Sequence, residues 1–351
     1  MNGMMKAMVL HDWVEKWGDN LRLEEVPIPA LGPNDVLVKV KACGVGLTVS
    51  NFMMGGMGKD PKLLPKIPGD DIVGKVAEIG SNVENFKIGD RVIVYLFITC
   101  GKCRYCLTGR NDLCLNFGGW IGRTHDGGYA EYVKVPEDNL FELPKEIPYL
   151  EATTINTAIA SSVHVLRSRA QMSYGEDVLI IGAAGGVGVH LTQLAKLLGG
   201  RVFASDIDDE KLEKLKKYGA DIIINAKKVK LSDEVKKLTG GKGVDIAVEF
   251  VGTPQTLSES INSLGSGGRL VNLTSHRDVK FEVASLPLVI NEWIITGSRY
   301  TTKHEFLEAI ELVKTEKVKS VISVTKKLED VEQIHIMLNE NKVFGRGAIE
   351  V

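Results

Sequence analysis

The sequence predicts an α/β protein in which a doubly wound parallel sheet is joined to a β-rich domain. Three observations carry that prediction. The 351-residue chain changes texture near Leu150, short apolar runs alternate with helical patterns beyond it, and a glycine-rich turn follows the first of those runs. A prior of roughly 150 residues per domain also points to two domains.

The first half contains β-like runs at residues 36–40, 72–79 and 91–95, punctuated by Gly32-Pro33 and Pro68-Gly69. A helical pattern runs from about 150 to 169. Strands are then expected at 178–181, 202–205, 222–224, 244–250 and 269–273. Helices between them are expected up to 198, then over 209–218, 232–238 and 255–264. Alternating strands and helices imply a parallel sheet covered on both faces. After about residue 297 the tail is expected to return to the first domain. The expected boundaries are 1–153, with a cysteine lobe at about 95–116, then 154–296, then 297–351.

A formal net charge of −2 argues against a broad surface for nucleic acid or anionic membrane. Residues 178–195 carry no formal charge, but their glycines and His190, Thr192 and Gln193 suit a buried strand–turn–helix better than a membrane span. Residues 1–17 contain Lys6, His11, Asp12, Glu15 and Lys16 and lack the apolar core of a secretory signal. A cytoplasmic protein acting on a small molecule is expected.

The run Val178-Leu-Ile-Ile181 leads into Gly182-Ala-Ala184-Gly185-Gly186-Val187-Gly188 and then a helix. Glycine lets backbone approach a pyrophosphate, and a helix N-terminus offers it free N–H groups. The spacing departs from a strict G-x-G-x-x-G because Ala183 stands where the first glycine would be. Asp206 closes the next strand about twenty residues on, where a carboxylate accepts bonds from both ribose hydroxyls and repels a 2′-phosphate. This predicts NAD(H) rather than NADP(H). The competing role for Asp206 is an acidic helix cap ahead of Asp208, Asp209 and Glu210.

Four of the five cysteines fall in Cys100-x2-Cys103-x2-Cys106-x7-Cys114. Four thiolates this close can surround one structural Zn²⁺ and leave no position open to water. An iron–sulfur cluster is the main rival, and reduced free thiols are the third reading.

With these motifs the chain resembles the zinc-containing alcohol dehydrogenase family of the medium-chain dehydrogenase/reductase superfamily. The family's G-H-E-x2-G-x5-G-x2-V appears as Gly69-Asp70-Asp71-x2-Gly74-x5-Gly80-x2-Val83, and D-G-G-x-A-E-Y as residues 126–132. The resemblance implies a Rossmann NAD-binding domain beside a GroES-like catalytic domain. It also implies cofactor contacts from Lys211, Val251, Thr274 and Arg346, and a homodimer or homotetramer assembled through the edge of the nucleotide-binding sheet. Residues 286–290 and 293–295 offer the apolar material for that edge.

The resemblance fails at one place. The family's first catalytic-zinc ligand falls on Gly46, the histidine of G-H-E is Asp70, and the third ligand aligns with Thr157. Asp71 shortens the family's glutamate, and Val49 replaces the acid behind the histidine. Cys43 or His164 would have to rescue a metal through unusual geometry. Thr48 holds the family's proton-relay position, with a local helix cap as its competing role.

A catalytic zinc acts as a Lewis acid on the substrate oxygen. Without it, activated acceptors such as an enone, enoyl thioester or quinone are the easier hydride targets. The expected function is therefore NAD(H)-dependent hydride transfer to such an acceptor, with Thr48, Asp70 and Asp71 as site residues. The alternatives are an alcohol or ketone dehydrogenase with a rebuilt polar site, or a non-catalytic NAD-binding protein. Zinc-free relatives often lack the cysteine lobe, so the chain reads as a hybrid. His125, His190, His276, His304 and His335 receive no role, and Trp120 and Trp293 read as packing residues.

Overall fold

The computed structural model describes residues 3–274 and 276–351. It contains two compact units. The first comprises Met1–Thr157, Thr302–Glu316 and Ser320–Val351, and the second Ala158–Thr301 with Lys317–Lys319.

A seven-stranded sheet organises the first unit. Its path runs Ile322–Lys327, Arg346–Glu350, Asp35–Val45, Asp71–Ile79, Arg91–Val94 and Leu140–Glu142, with Tyr132–Pro136 also paired to Asp35–Val45. The strand expected at 36–40 extends to Val45 because Ala42, Cys43 and Val45 remain fully buried beyond a register shift at Val40/Ala42. Val36, Val38, Val40, Ile72, Val92 and Val94 share one apolar cluster with Phe52 and Ile349. Each such side chain removed from water contributes roughly 1.5–3 kcal/mol. Gly74 marks a close strand contact, since a Cβ there would lie 2.2 Å from the Lys39 carbonyl oxygen.

The second unit holds six parallel strands: Asp177–Ile181, Arg201–Asp206, Ile222–Asn225, Val244–Glu249, Leu264–Asn272 and Ile294–Gly297. Counted along the chain, their spatial order is 3-2-1-4-5-6. This is the doubly wound order, whose switch point falls between the first and fourth strands. Val178, Leu179 and Ile180 are fully buried, as a strand covered on both faces requires. The sixth strand forms one edge. Beside it in sequence, the helix Ser285–Ile290 exposes Leu286, Val289 and Ile290 at 70%, 69% and 69%. No described helix is long and apolar enough to cross a membrane.

The helix expected over 150–169 is irregular. Wide i→i+5 turns over Ile155–Ile159 and His164–Arg169 flank a regular turn at Ala160–Val163. Such turns disturb the usual amide-to-carbonyl ladder and recur at functional sites.

Glu332, on the helix Val331–Asn339, ties the C-terminal segment to the start of the chain. Its carboxylate accepts from the amides of Gly18, Asn20 and Leu21 and from Asn20 Nδ2, at 2.8–3.1 Å. Burial alone would raise its pKa, but the Asn20 side chain and these amides outweigh burial and hold it below the usual value. A depressed carboxylate stabilises above its unfolded pKa of about 4.3, and that contribution disappears as pH falls through the folded value. Glu332→Ala, measured by urea unfolding at pH 7, is expected to lose about 1–3 kcal/mol because it strands buried N–H groups. The difference from the parent should shrink as pH falls below 4, and a pH-independent difference would contradict this role.

Candidate active site

The glycine turn connects the first strand of the parallel sheet to the helix Gly188–Leu197. The amides of Gly182 and Ala183 both donate to the Ser205 carbonyl, at 2.9 and 3.0 Å, which folds the turn back over the second strand. Gly188 packs so tightly that a Cβ would sit 2.4 Å from the Gly182 oxygen. Gly185 is exposed, and Gly186 and Val187 are half-buried. Asp206 Oδ2 accepts from the Ala184 amide at 3.0 Å and Oδ1 from Ile207 at 2.7 Å. Each oxygen keeps a further lone pair. Asp208, not Asp206, caps the following helix, accepting from the Lys211 amide at 3.1 Å.

Val251 and Thr274 lie just beyond the carboxyl ends of the fourth and fifth strands. Thr274 donates to Asn272 Oδ1 at 2.7 Å. The loop at Val251 is held by Glu249, a fully buried carboxylate that accepts from the amides of Val251 and Gly252 and from Thr256 Oγ1. The Lys211 ammonium has a lowered pKa through burial, opposed by Asp206 and Asp208. Glycine turn, Asp206, Val251 and Thr274 thus share the carboxyl end of the sheet, where open α/β folds bind dinucleotides.

Cys100, Cys103, Cys106 and Cys114 present sulfurs that all lie within 4.8 Å of one another. Cys103 Sγ and Cys106 Sγ are 3.5 Å apart, and the Cys100 amide points to Cys114 Sγ at 3.3 Å. A zinc tetrahedron with Zn–S of about 2.3 Å places its sulfurs about 3.8 Å apart. The four thiols, none of them in a disulfide, therefore fit one Zn²⁺.

A second polar cluster lies wholly within the first unit. Gly347 pairs with Val45 and Gly44 with Asp71, so the register brings Arg346 beside Gly46 and Asp71 beside Gly44. Gly44 and Gly46 lie two residues apart and share one face. A Cβ on Gly44 would meet Asp71 Cβ at 2.8 Å, and one on Gly46 would meet Arg346 Nη1 at 2.6 Å. In the space these glycines leave, Arg346 Nη2 pairs with Asp71 Oδ2. Thr157 donates to the same carboxylate twice, from Oγ1 at 2.6 Å and from its amide at 3.0 Å. Asp70 is held separately by Arg123, whose Nε lies 3.1 Å from Oδ2. Asn156 Nδ2 donates to the Asp70 carbonyl at 3.0 Å. Asp70, Asp71, Arg123 and Arg346 are all 5% exposed or less.

The helix Leu47–Met53 begins beside this cluster with Gly46 as N-cap and no side-chain cap bond. Thr48 is half-buried in its first turn, and among the described residues its hydroxyl has no hydrogen-bond partner. Behind that helix, Ser50 Oγ and the Tyr129 hydroxyl contact the two nitrogens of His335, at 2.7 and 3.0 Å, while Trp17 stacks on the ring. Burial lowers the His335 pKa to about 3, so the ring is neutral and pins the helix that carries Thr48. Trp293 donates to the Gly265 carbonyl at 2.8 Å, and Trp120 packs edge-on to Phe97 and Phe117.

Residues 186–315 match the family described as zinc-binding dehydrogenase, and residues 32–145 match the alcohol dehydrogenase GroES-like domain. An NAD-dependent alcohol dehydrogenase of Sulfolobus acidocaldarius is 34% identical across 99% of this chain and its own full length. The chain belongs to the zinc-type medium-chain dehydrogenase family. It is an oxidoreductase. An acryloyl-coenzyme A reductase of Sulfurisphaera tokodaii is 30% identical over 93% of this chain and 95% of its own. A solved NAD-dependent alcohol dehydrogenase superposes with a TM-score of 0.91 at 31% identity, covering 99% of this chain and all of its own.

Within this dehydrogenase the donor set at positions 46, 70 and 157 does not fit a catalytic zinc. Gly46 has no ligand atom, Asp70 is neutralised by Arg123, and the Thr157 hydroxyl is committed to Asp71. Cys43 is buried, and burial followed by the Asp70 charge raises its thiol pKa well above normal, which disfavours the ligating thiolate. His164 falls in the second unit.

Arg123, Glu249 and His335 escaped the sequence reading. Arg123 alone had a usable signal: an acid placed where the family buries a neutral histidine requires a compensating cation. The cysteine lobe generates a direct expectation. Cys103→Ser should reduce bound zinc below one per chain by elemental analysis and lower Tm. Unchanged zinc and Tm would rule the lobe out as a metal site.

Proposed function

We propose that this dehydrogenase is an NAD(H)-dependent reductase acting on an activated acceptor, a conjugated alkene or carbonyl such as an enone, enoyl thioester or quinone, without a catalytic zinc. The observation that carries the reading is the cluster at positions 46, 70 and 157, where arginine–aspartate pairs stand in place of a metal donor set. The acryloyl-coenzyme A reductase among its relatives supports the acceptor class.

On this reading the backbone of residues 182–188 cradles the pyrophosphate, with Gly182, Ala184, Gly185, Gly186, Val187 and Gly188 on the phosphate side. Asp206 accepts from the ribose hydroxyls and disfavours a 2′-phosphate. Lys211, Val251 and Thr274 border the adenine ribose and nicotinamide. The bound nicotinamide supplies the hydride. The residues of the first unit supply charge at the acceptor oxygen, and Thr48, whose hydroxyl is uncommitted, hands on the proton. An acceptor that spreads negative charge over a conjugated system makes modest demands on that charge, whereas a simple alcohol depends on strong stabilisation of its alkoxide.

The uncommitted Thr48 hydroxyl also suits reversible oxidation of a secondary alcohol. An NADH-consumption panel run in chelator separates the two readings. Enone or enoyl-thioester turnover that persists in EDTA is the expected result, with NADH preferred over NADPH and that preference relaxed in Asp206→Ala. Secondary-alcohol oxidation with no enone turnover would favour the alcohol dehydrogenase. Tight NADH binding with no turnover of either set would point to a non-catalytic cofactor-binding protein.

A further inference from the structure

The glycine turn of the second unit enters its helix through an irregular hydrogen-bond ladder. The carbonyls of Gly185 and Val187 accept from the amides of Val189 and Leu191, at 3.1 and 2.9 Å, as in a regular helix. The Gly186 carbonyl between them accepts instead from a side chain, His190 Nδ1, at 2.6 Å. The His190 amide, which a regular ladder would send to Gly186, donates to the Val187 carbonyl at 3.1 Å. Further along, Thr192 Oγ1 donates to the Gly188 carbonyl at 2.9 Å. His190 and Thr192 are both fully buried.

The imidazole fixes the plane of a peptide. The Gly186–Val187 bond is trans, like every described peptide bond except Leu64–Pro65. Its C=O and N–H therefore point in opposite directions within one plane. A carbonyl held inward by a buried ring turns the Val187 N–H outward. Among the described residues, the amides of Gly186, Val187 and Gly188 donate to no protein acceptor. Free amides of this kind at the start of a helix suit a phosphate. Because its partner is a carbonyl, Nδ1 must carry the ring proton. Burial lowers the His190 pKa to about 4, against the Gly186 bond, so the ring is neutral at pH 7.

Resting on the NAD(H) reading above, we propose that His190 is a positioning residue for the cofactor pyrophosphate. Its Nδ1–H clamps the Gly186 carbonyl and, through the rigid peptide plane, aims the Val187 amide at a phosphate oxygen. Gly185 and Gly186 make such a clamp necessary. Glycine has the widest backbone freedom, and neither residue has a side chain to restrict it. With the clamp in place the turn meets the cofactor with its donors already set, which lowers the ordering cost of binding. Thr192 anchors the Gly188 carbonyl in the same way and steadies the first turn of the helix. His190 acts through the backbone, so its chemistry is that of a fixed neutral donor, not of a charge on the phosphate.

The test uses the full-length protein, titrated with NADH, ADP-ribose and adenosine and followed by fluorescence or calorimetry. His190→Leu should weaken NADH and ADP-ribose about 5–20-fold, the effect of one lost hydrogen bond and an orphaned buried carbonyl. Adenosine, which carries no phosphate, should bind the variant as it binds the parent. His190→Asn, whose Nδ2 falls where the ring Nδ1 lies, should restore most of the lost affinity. Equal weakening of adenosine and ADP-ribose would reveal a general distortion and overturn the proposal. Unchanged NADH affinity in folded His190→Leu would overturn it as well. Should His190→Leu not fold, proton–nitrogen correlation spectra of the parent's histidine rings supply a second measurement. They should show His190 neutral and protonated at Nδ1, and a ring protonated at Nε2 would overturn the proposal. A parent chain that bound neither NADH nor ADP-ribose would instead sink the NAD(H) reading, and the proposal with it.

Discussion

The ion pair between Arg346 and Asp71 organises the buried polar cluster of the first unit, and two glycines make it possible. Gly44, near the end of its strand, and Gly46, just beyond it, open a slot that a single methyl group at either position would close. The pair is set by register: the last strand must lie against Asp35–Val45 for Arg346 to arrive beside Gly46. Burying two charges costs several kcal/mol per ion before their attraction offsets it. Removing one partner from such a pair typically costs about 3–5 kcal/mol. The C-terminal return of the chain is therefore part of the site's construction, and the Glu332 clasp on residues 18–21 helps keep it there.

The two candidate metal positions differ in the donors they offer. In the cysteine lobe, short loops bring four soft donors within 4.8 Å of one another. Around Gly46, every carboxylate already has a guanidinium, and hydrogen bonds from Thr157 complete the arrangement. A metal there would have to displace an arginine from each aspartate. The first unit thus carries a four-thiol lobe that fits one Zn²⁺ and a separate cluster whose carboxylates are matched by arginines.

Much of this was legible in the sequence, for physical reasons. The runs at 178–181 and 202–205 are short, apolar and covered on both faces, so their pattern identified the parallel sheet directly. The glycine turn was legible because Gly188 packs against the Gly182 oxygen too closely for a Cβ, and Asp206 because it closes the second strand. The gaps at Gly46, Asp70 and Thr157 were equally visible, but what fills them was not. The pairing of Arg346 with Asp71 was not foreseen, and Arg123 received no role. Both pairings span long sequence separations, 275 residues for Arg346–Asp71 and 53 for Arg123–Asp70, and local pattern carries no information about such contacts. The wide turns that aim the Thr157 amide at Asp71 were likewise hidden beneath an ordinary helical periodicity.

Anomalous diffraction from crystals grown with cofactor and excess zinc, recorded above and below the zinc absorption edge, tests the central claim most directly. The account predicts one strong peak within the lobe of Cys100, Cys103, Cys106 and Cys114. Density for the Arg346 guanidinium should lie against Asp71 beside Gly46, with no peak there. A second tetrahedrally bound zinc on Asp70 or Asp71, with Arg346 swung away, would contradict it.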